Sequence, residues 1–248
     1  DLTYNNDNFP AGICSKDAIA VDLTTLQKPG SIVASSFVIT TPALVPGLTL
    51  VSTDPNLISD DIWTNKTTGF VDIDYTIIPT AGSCDGAPFH VIVRVNAEPF
   101  APTISKTICT GTNVNIDLQV DGIDTGNQVV STFDWDAVDN PNVNGEAVGT
   151  QVNVPSISDL LTNLTAVDQQ VTYNVTPTSP DGCVGDPFQV VVTISTEPVI
   201  APGQDKEICS GSSVNLEILL SPIGAPAGTV FSWPAPGVGG ATSSAPGG

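Results

Sequence analysis

The sequence predicts an all-β protein made of tandem β-sandwich units threaded into a rod, and three observations predict it. Apolar and polar residues alternate in short runs, the period of a half-buried strand, and no window keeps a helical period. Turn formers punctuate those runs, with 22 Gly and 21 Pro among 248 residues. One long phrase is written twice: "IIPTAGSCDGAPFHVIVRVNAEP" at 77–99 and "VTPTSPDGCVGDPFQVVVTISTEP" at 175–198.

The phrase recurs because a whole unit recurs. "ICTGTNVNIDL" (108–118) matches "ICSGSSVNLEI" (208–218), and "ICSKDAIAVDL" (13–23) is a worn version of both. Cys14 lies 95 residues before Cys109, Cys109 lies 100 before Cys209, and Cys84 lies 99 before Cys183. That period suits one sandwich domain per repeat. The expected division is 1–99, 100–199, and a truncated N-terminal half of a third repeat at 200–248. The third copy keeps "CSGSSVNLEILL" and "FSW" without a closing phrase. Either the natural protein continues, or another chain supplies the missing strands by strand addition.

Each strand of the second repeat follows from alternation. "VNIDL" turns Val114, Ile116 and Leu118 to one face; "STFDW" does so with Phe133 and Trp135. "QVTYNV" supplies Val171, Tyr173 and Val175, and "FQVVVTI" supplies Phe188, Val190, Val192 and Ile194. "TSPDGCVGDP" between the last two is a hairpin loop. In the first repeat Ile73, Tyr75 and Ile77 point in, as do Phe89, Val91, Val93 and Val95. There "SFVIT" replaces "TFDW", so Ile39 stands where Trp135 stands later. Several short strands with turns between them make an immunoglobulin-like sandwich. The joints "NAEPFAPT" and "STEPVIAP" are short and contain proline, which stiffens them.

Charge narrows the partners. The chain has 6 Lys plus Arg against 26 Asp plus Glu, a net charge of −20. Such a surface repels nucleic-acid phosphates and anionic lipid. No apolar run reaches the length of a membrane span, and no basic-then-apolar leader stands at the start, so any signal peptide is expected to be already removed or to lie outside this sequence.

The five cysteines, Cys14, Cys84, Cys109, Cys183 and Cys209, lack the spacing of zinc or thioredoxin sites and imply disulfides in an oxidising compartment. The favoured pairing joins Cys14 to Cys84 and Cys109 to Cys183, leaving Cys209 unpaired. A bridge from Cys109 to Cys183 would be worth roughly 4 kcal/mol on the chain-entropy model. A geometric objection stands beside it. If a full strand precedes Cys109, that residue lies at the opposite pole from the hairpin loop, and the bridge must cross a junction, as from Cys14 to Cys183.

Catalytic chemistry is not expected. His90 is the sole histidine and Gln189 replaces it in the next repeat, which leaves no triad. "DTG" at 124–126 has no second copy to form a carboxylate dyad. "DNPNVNGE" (139–146) has the start of a calcium loop, but Gln151 stands where the last carboxylate belongs, so it reads as a polar turn. Calcium remains the one candidate cofactor. Its candidate ligands are the joint residues Glu98 and Glu197, with Asp186 and Asp205 near them, and the outward pair Asp72 and Asp74. Trp63 reads as a core or edge residue rather than an exposed sugar platform.

"ICSGSSVNL", "FSW", "VTYNVTPTSPDGCVGDPFQVVVTISTEP" and the Glu-Pro joints together resemble the PKD-like, Ig-like repeats of large Bacteroidota surface adhesins of the SprB gliding-motility type. The resemblance covers nearly the whole chain and is strongest in the second repeat. It implies type 9 secretion, display on the outer cell surface, and a filament for attachment and gliding. Implied partners are neighbouring repeats of the same long protein and the secretion and gliding machinery, with surface polysaccharide as a candidate ligand. The alternative is an accessory module of a secreted polysaccharide-degrading enzyme.

Overall fold

The computed structural model describes residues 2–40, 44, 46–52, 54, 57–198, 200–219 and 229–234. Among them there is no α-helix, and the fold is tandem immunoglobulin-type β-sandwiches. Buried side chains sort into two clusters, one drawn from Leu2 to Val95 and one from Ala101 to Ile194.

The first repeat contains β1 (Asp7–Cys14), β2 (Ser36–Thr40), β3 (Leu48–Val51), β4 (Ile62–Asn65), β5 (Val71–Ala81), β6 (Cys84–Asp85) and β7 (Phe89–Asn96). The main sheet runs β1-β7-β5-β2, with β6 on the end of β5. β1 lies parallel to β7, and its register shifts between Phe9 and Ile13. β5 is antiparallel to both β7 and β2. The β3–β4 hairpin covers the other side, placing Leu48 and Trp63 in one core with Ile73, Tyr75, Ile77, Phe89, Val91, Val93 and Val95.

The second repeat contains β8 (Ile104–Cys109), β9 (Thr112–Asn113), β10 (Ile116–Asp117), β11 (Thr132–Ala137), β12 (Val143–Asn144), β13 (Ser156–Ile157), β14 (Leu160–Asn163), β15 (Gln169–Thr178) and β16 (Phe188–Ser195). Its main sheet, β11-β15-β16-β8, repeats the first, again with one parallel pair, β8 on β16. The facing layer is β12-β14-β9 with β10-β13 beside it. Every inward position expected in this repeat is buried. At roughly 1.5–3 kcal/mol for each large apolar side chain, these positions hold the two layers together.

One expected strand is shorter than its pattern. Val114, Ile116 and Leu118 are all buried, but only Ile116–Asp117 pairs as a strand. Asn115 between them has φ +48°, the left-handed region, which breaks the ladder while leaving the inward residues inward. The described residues of 200–219 form no strand, and Trp233, expected at a core position, is 53% exposed.

The favoured cysteine pairing is corrected. Cys14 bonds Cys183 across the two repeats, with Cα atoms 5.2 Å apart, and Cys84 and Cys109 are exposed free thiols, as is Cys209. The parallel first strand is the reason. β1 ends with Cys14 beside Asn96, the last residue of β7, whereas Cys84 sits at the turn that precedes Phe89, the first. Eight residues of strand, roughly 20–25 Å, separate the two poles. No disulfide spans that distance.

Candidate functional site

The two poles meet where one repeat joins the next. There the Cys14–Cys183 bond is accompanied by a buried ionic cluster. Glu98, in the joint, is fully buried and donates its backbone N–H to the Asn65 carbonyl at 3.0 Å. Its carboxylate lies 2.9 Å from Lys16 Nζ and 3.6 Å from Lys66 Nζ. Both ammonium groups also reach across to Asp186 of the second repeat, Lys66 at 2.9 Å and Lys16 in closer contact. Removing a carboxylate from water costs several kcal/mol, and two cations offset that cost here.

Local structure places each member. Lys16 follows the end of β1 with φ +72°, and its N–H donates to the Trp63 carbonyl at 2.6 Å, which pins the turn beneath Glu98. Lys66 follows β4, whose last residue Asn65 is fully buried. The Asn65 amide donates to the carbonyls of Gly69 and Val95 at 2.9 and 2.8 Å and accepts from Thr67 N–H at 3.0 Å. Asp186 follows Gly185, where a Cβ would lie 2.1 Å from the Pro99 carbonyl oxygen, so the hairpin loop approaches the joint as only glycine permits. From the second repeat, Asn127 Nδ2 donates to the carbonyls of Glu98 and Thr67 at 2.7 and 3.1 Å. Its Oδ1 accepts from Phe100 N–H at 2.9 Å. Lys66 Nζ stands 4.9 Å over the Phe100 ring.

Hydrogen bonds from Lys16 and Lys66 hold the Asp186 carboxyl below its usual range. Burial alone would lower the Lys16 ammonium, but its bonds to Asp186 and Glu98 outweigh that and raise it. The cluster is a charge-balanced fastener: two carboxylates, two ammoniums, one covalent bond beside them.

The acids expected as calcium ligands are distributed differently. Glu98 and Asp186 do come together, but around lysines. Asp72 accepts from Arg94 Nε at 2.8 Å, which holds its carboxyl low, and Asp74 meets His90 Nδ1 at 2.9 Å. Glu197 and Asp205 are exposed, and among the described residues no cluster of acids, His and Cys is placed to hold a metal ion. In "DNPNVNGE", Asn140 Oδ1 accepts from Asn142 N–H and its Nδ2 donates to the Gln170 carbonyl, the bonding of a turn. In "DTG", Asp124 accepts from Gln119 on a short 3-10 turn.

Sequence reasoning did not single out Lys16, Lys66, Asn65 or Asn127. A signal was present: basic residues number only 6, and two of them fall two residues after Cys14 and at the middle of the N-x-T of "NKTTGF". Gly111 and Leu164 stand in the corresponding places of the second repeat.

The family model described as PKD-like domain matches residues 11–99 and 106–198. The chain belongs to the PKD-like domain family. A search of curated proteins finds no match. Among solved structures, similar chains include protocadherin gamma B2 extracellular cadherin domains 1–5 (13% identity, TM-score 0.26, 80% of this chain and 40% of that one). Others are Drosophila N-cadherin EC1–4 (10%, 0.28, 79% and 50%) and chicken CNTN1 FN1–FN3 (11%, 0.30, 71% and 64%). The chain spans less than two thirds of the length of each. The two PKD-like repeats are thus defined by their sequence family and by their own cores, and the fastener lies between them.

Proposed function

We propose that this chain is a non-catalytic segment of a secreted, cell-surface adhesin, in which PKD-like repeats in series hold a binding part away from the cell. The observation that carries the reading is the joint: a disulfide and a buried ion cluster spent on fixing one repeat to the next. A disulfide suits an oxidising, extracellular location. The resemblance to SprB-type adhesins extends the reading to type 9 secretion, attachment and gliding, with surface polysaccharide as the candidate ligand.

Small-angle scattering of the oxidised chain tests the extended arrangement. A compact globule of this length has a radius of gyration of about 18 Å. The expected result is a clearly larger value and a pair-distance distribution with a second maximum at the separation of two sandwiches. A single compact peak would remove the reading. Antibody raised against the chain should label intact, unpermeabilised cells of the source organism, and labelling only after lysis would count against surface display.

A further inference from the structure

Cys84 and Cys109 are exposed, yet each occupies a place that is disulfide-bonded in the other repeat. The equivalence is geometric as well as sequential. Cys109 ends β8 beside Ser195 as Cys14 ends β1 beside Asn96. The next N–H donates to the end of the neighbouring strand in both cases, Thr110 to Ser195 at 2.9 Å and Ser15 to Asn96 at 3.2 Å. The following residues, Gly111 and Lys16, have φ +73° and +72° and donate to Leu161 and Trp63.

The hairpin loops correspond as closely. Thr80 bridges Asp85 after Cys84, and Thr178 bridges Val184 after Cys183. Gly86 N–H donates to Pro79 at 2.8 Å, and Gly185 N–H to Pro177 at 2.9 Å. A Cβ on Gly86 would lie 2.5 Å from the Leu2 carbonyl oxygen, as one on Gly185 would lie 2.1 Å from that of Pro99. Each loop is thus docked on the segment that enters its own repeat, and in the second repeat this is where Cys14 of the first is found.

We propose that the cysteines form a ladder: the strand-end cysteine of each repeat closes on the hairpin-loop cysteine of the next. Cys109 is then the site for the loop cysteine of a following PKD-like repeat, and Cys84 the site for the strand-end cysteine of a preceding one. This rests on the reading that such repeats lie in series. Each rung forms when two thiols lose two electrons and two protons to a disulfide oxidant, which is reduced to two thiols. Cys209 stands at the corresponding place in the sequence, and one contact around it is kept: Lys206 bonds the Asn215 carbonyl as Lys106 bonds that of Asn115, each at 2.7 Å. Its rung would lie one repeat further along.

The test has two arms. In the chain as it stands, alkylation before reduction should label Cys84, Cys109 and Cys209 and spare Cys14 and Cys183. In the second, a further copy of residues 100–198, carrying Cys109→Ser and Val184→Ile so that its Cys183 peptide is distinguished by mass, follows Pro198; that unit has a core of its own from Ala101 to Ile194. After oxidation with glutathione disulfide, peptide mapping should link Cys109 to the added copy of Cys183 while Cys14 keeps the original. Gly111→Lys with Leu164→Lys gives a version in which the missing cations are restored. Linkage in either version supports the ladder. Free Cys109 in both, or Cys109 bonded elsewhere, overturns it. Scattering separates the two readings: an extended chain with Cys109 free sinks only the ladder, whereas a collapsed chain sinks the series arrangement.

Discussion

Trp63 and Trp135 stand in different layers of their repeats, yet both press on the same tyrosine position. Trp63, on β4, donates from Nε1 to the Tyr75 hydroxyl at 2.6 Å; Trp135, on β11, meets the Tyr173 ring edge-on at 5.6 Å. Those tyrosines are held alike, donating to Asp61 at 2.6 Å and Asp159 at 3.0 Å, and burial pushes both phenols far above their usual range. Where the second repeat has Trp135 opposite Val175, the first has Ile39 opposite Ile77; where the first has Trp63, the second has Leu161. One large side chain has moved across the sandwich with the total volume kept, the kind of change cores tolerate. Trp63→Leu should therefore cost the first repeat about 2–4 kcal/mol, and adding Ile39→Trp should recover part of it. Urea unfolding followed by far-UV circular dichroism measures both, and strictly additive losses would contradict the exchange. The burial of Trp63 was legible only as a core or edge preference. Its partner was not, because alternation says which way a residue faces and not which layer it meets.

At the scale of elements, asparagines hold the layers together. Asn65 at the end of β4 and Asn163 at the end of β14 each tie a strand of one layer to the other: Asn65 Nδ2 to Val95, Asn163 Nδ2 to Ile194 at 3.0 Å. Asn163 also donates to Val167 and accepts from both groups of Thr165. Asn163→Ala leaves several polar groups without partners, for an expected loss of about 1–3 kcal/mol in urea unfolding; a loss near zero would mean that water replaces the amide freely. Of the strands these asparagines join, β7 and β16 were legible from period-two patterning with their inward residues, whereas β4 and β14 were not read as strands. Nor were the knots legible, since N-x-T is ordinary turn composition. Asn115 shows the converse, a single left-handed residue cutting short a strand whose alternation is unbroken.

For the molecule as a whole, the two links at the junction respond to different conditions. The disulfide responds to reductant and the ion cluster to pH. Asp186 has a lowered carboxyl pKa, so its contribution is complete above about pH 4 and is lost as pH falls through the folded value. Lys16 has a raised pKa, so its contribution is complete below about pH 10 and is lost as pH rises through the folded value. The polarity of the strand end and hairpin loop, with one cysteine at each pole, was legible as an objection to pairing within a repeat. It could not be decided without knowing that the first strand runs parallel to the last. The geometry now decides what reduction should do. Each repeat has a closed core, so the Cys14→Ser, Cys183→Ser chain should keep its far-UV spectrum, and at neutral pH the ion cluster should still hold the joint. Lowering the pH through the folded value of Asp186 should then free the repeats, widening the inter-repeat distance distribution read by paired spin labels on β2 and β11. Asp186→Asn in the same background should be wide at neutral pH and change little with acid. A reduced chain equally stiff at both pH values would show that the charges play no part in holding the joint.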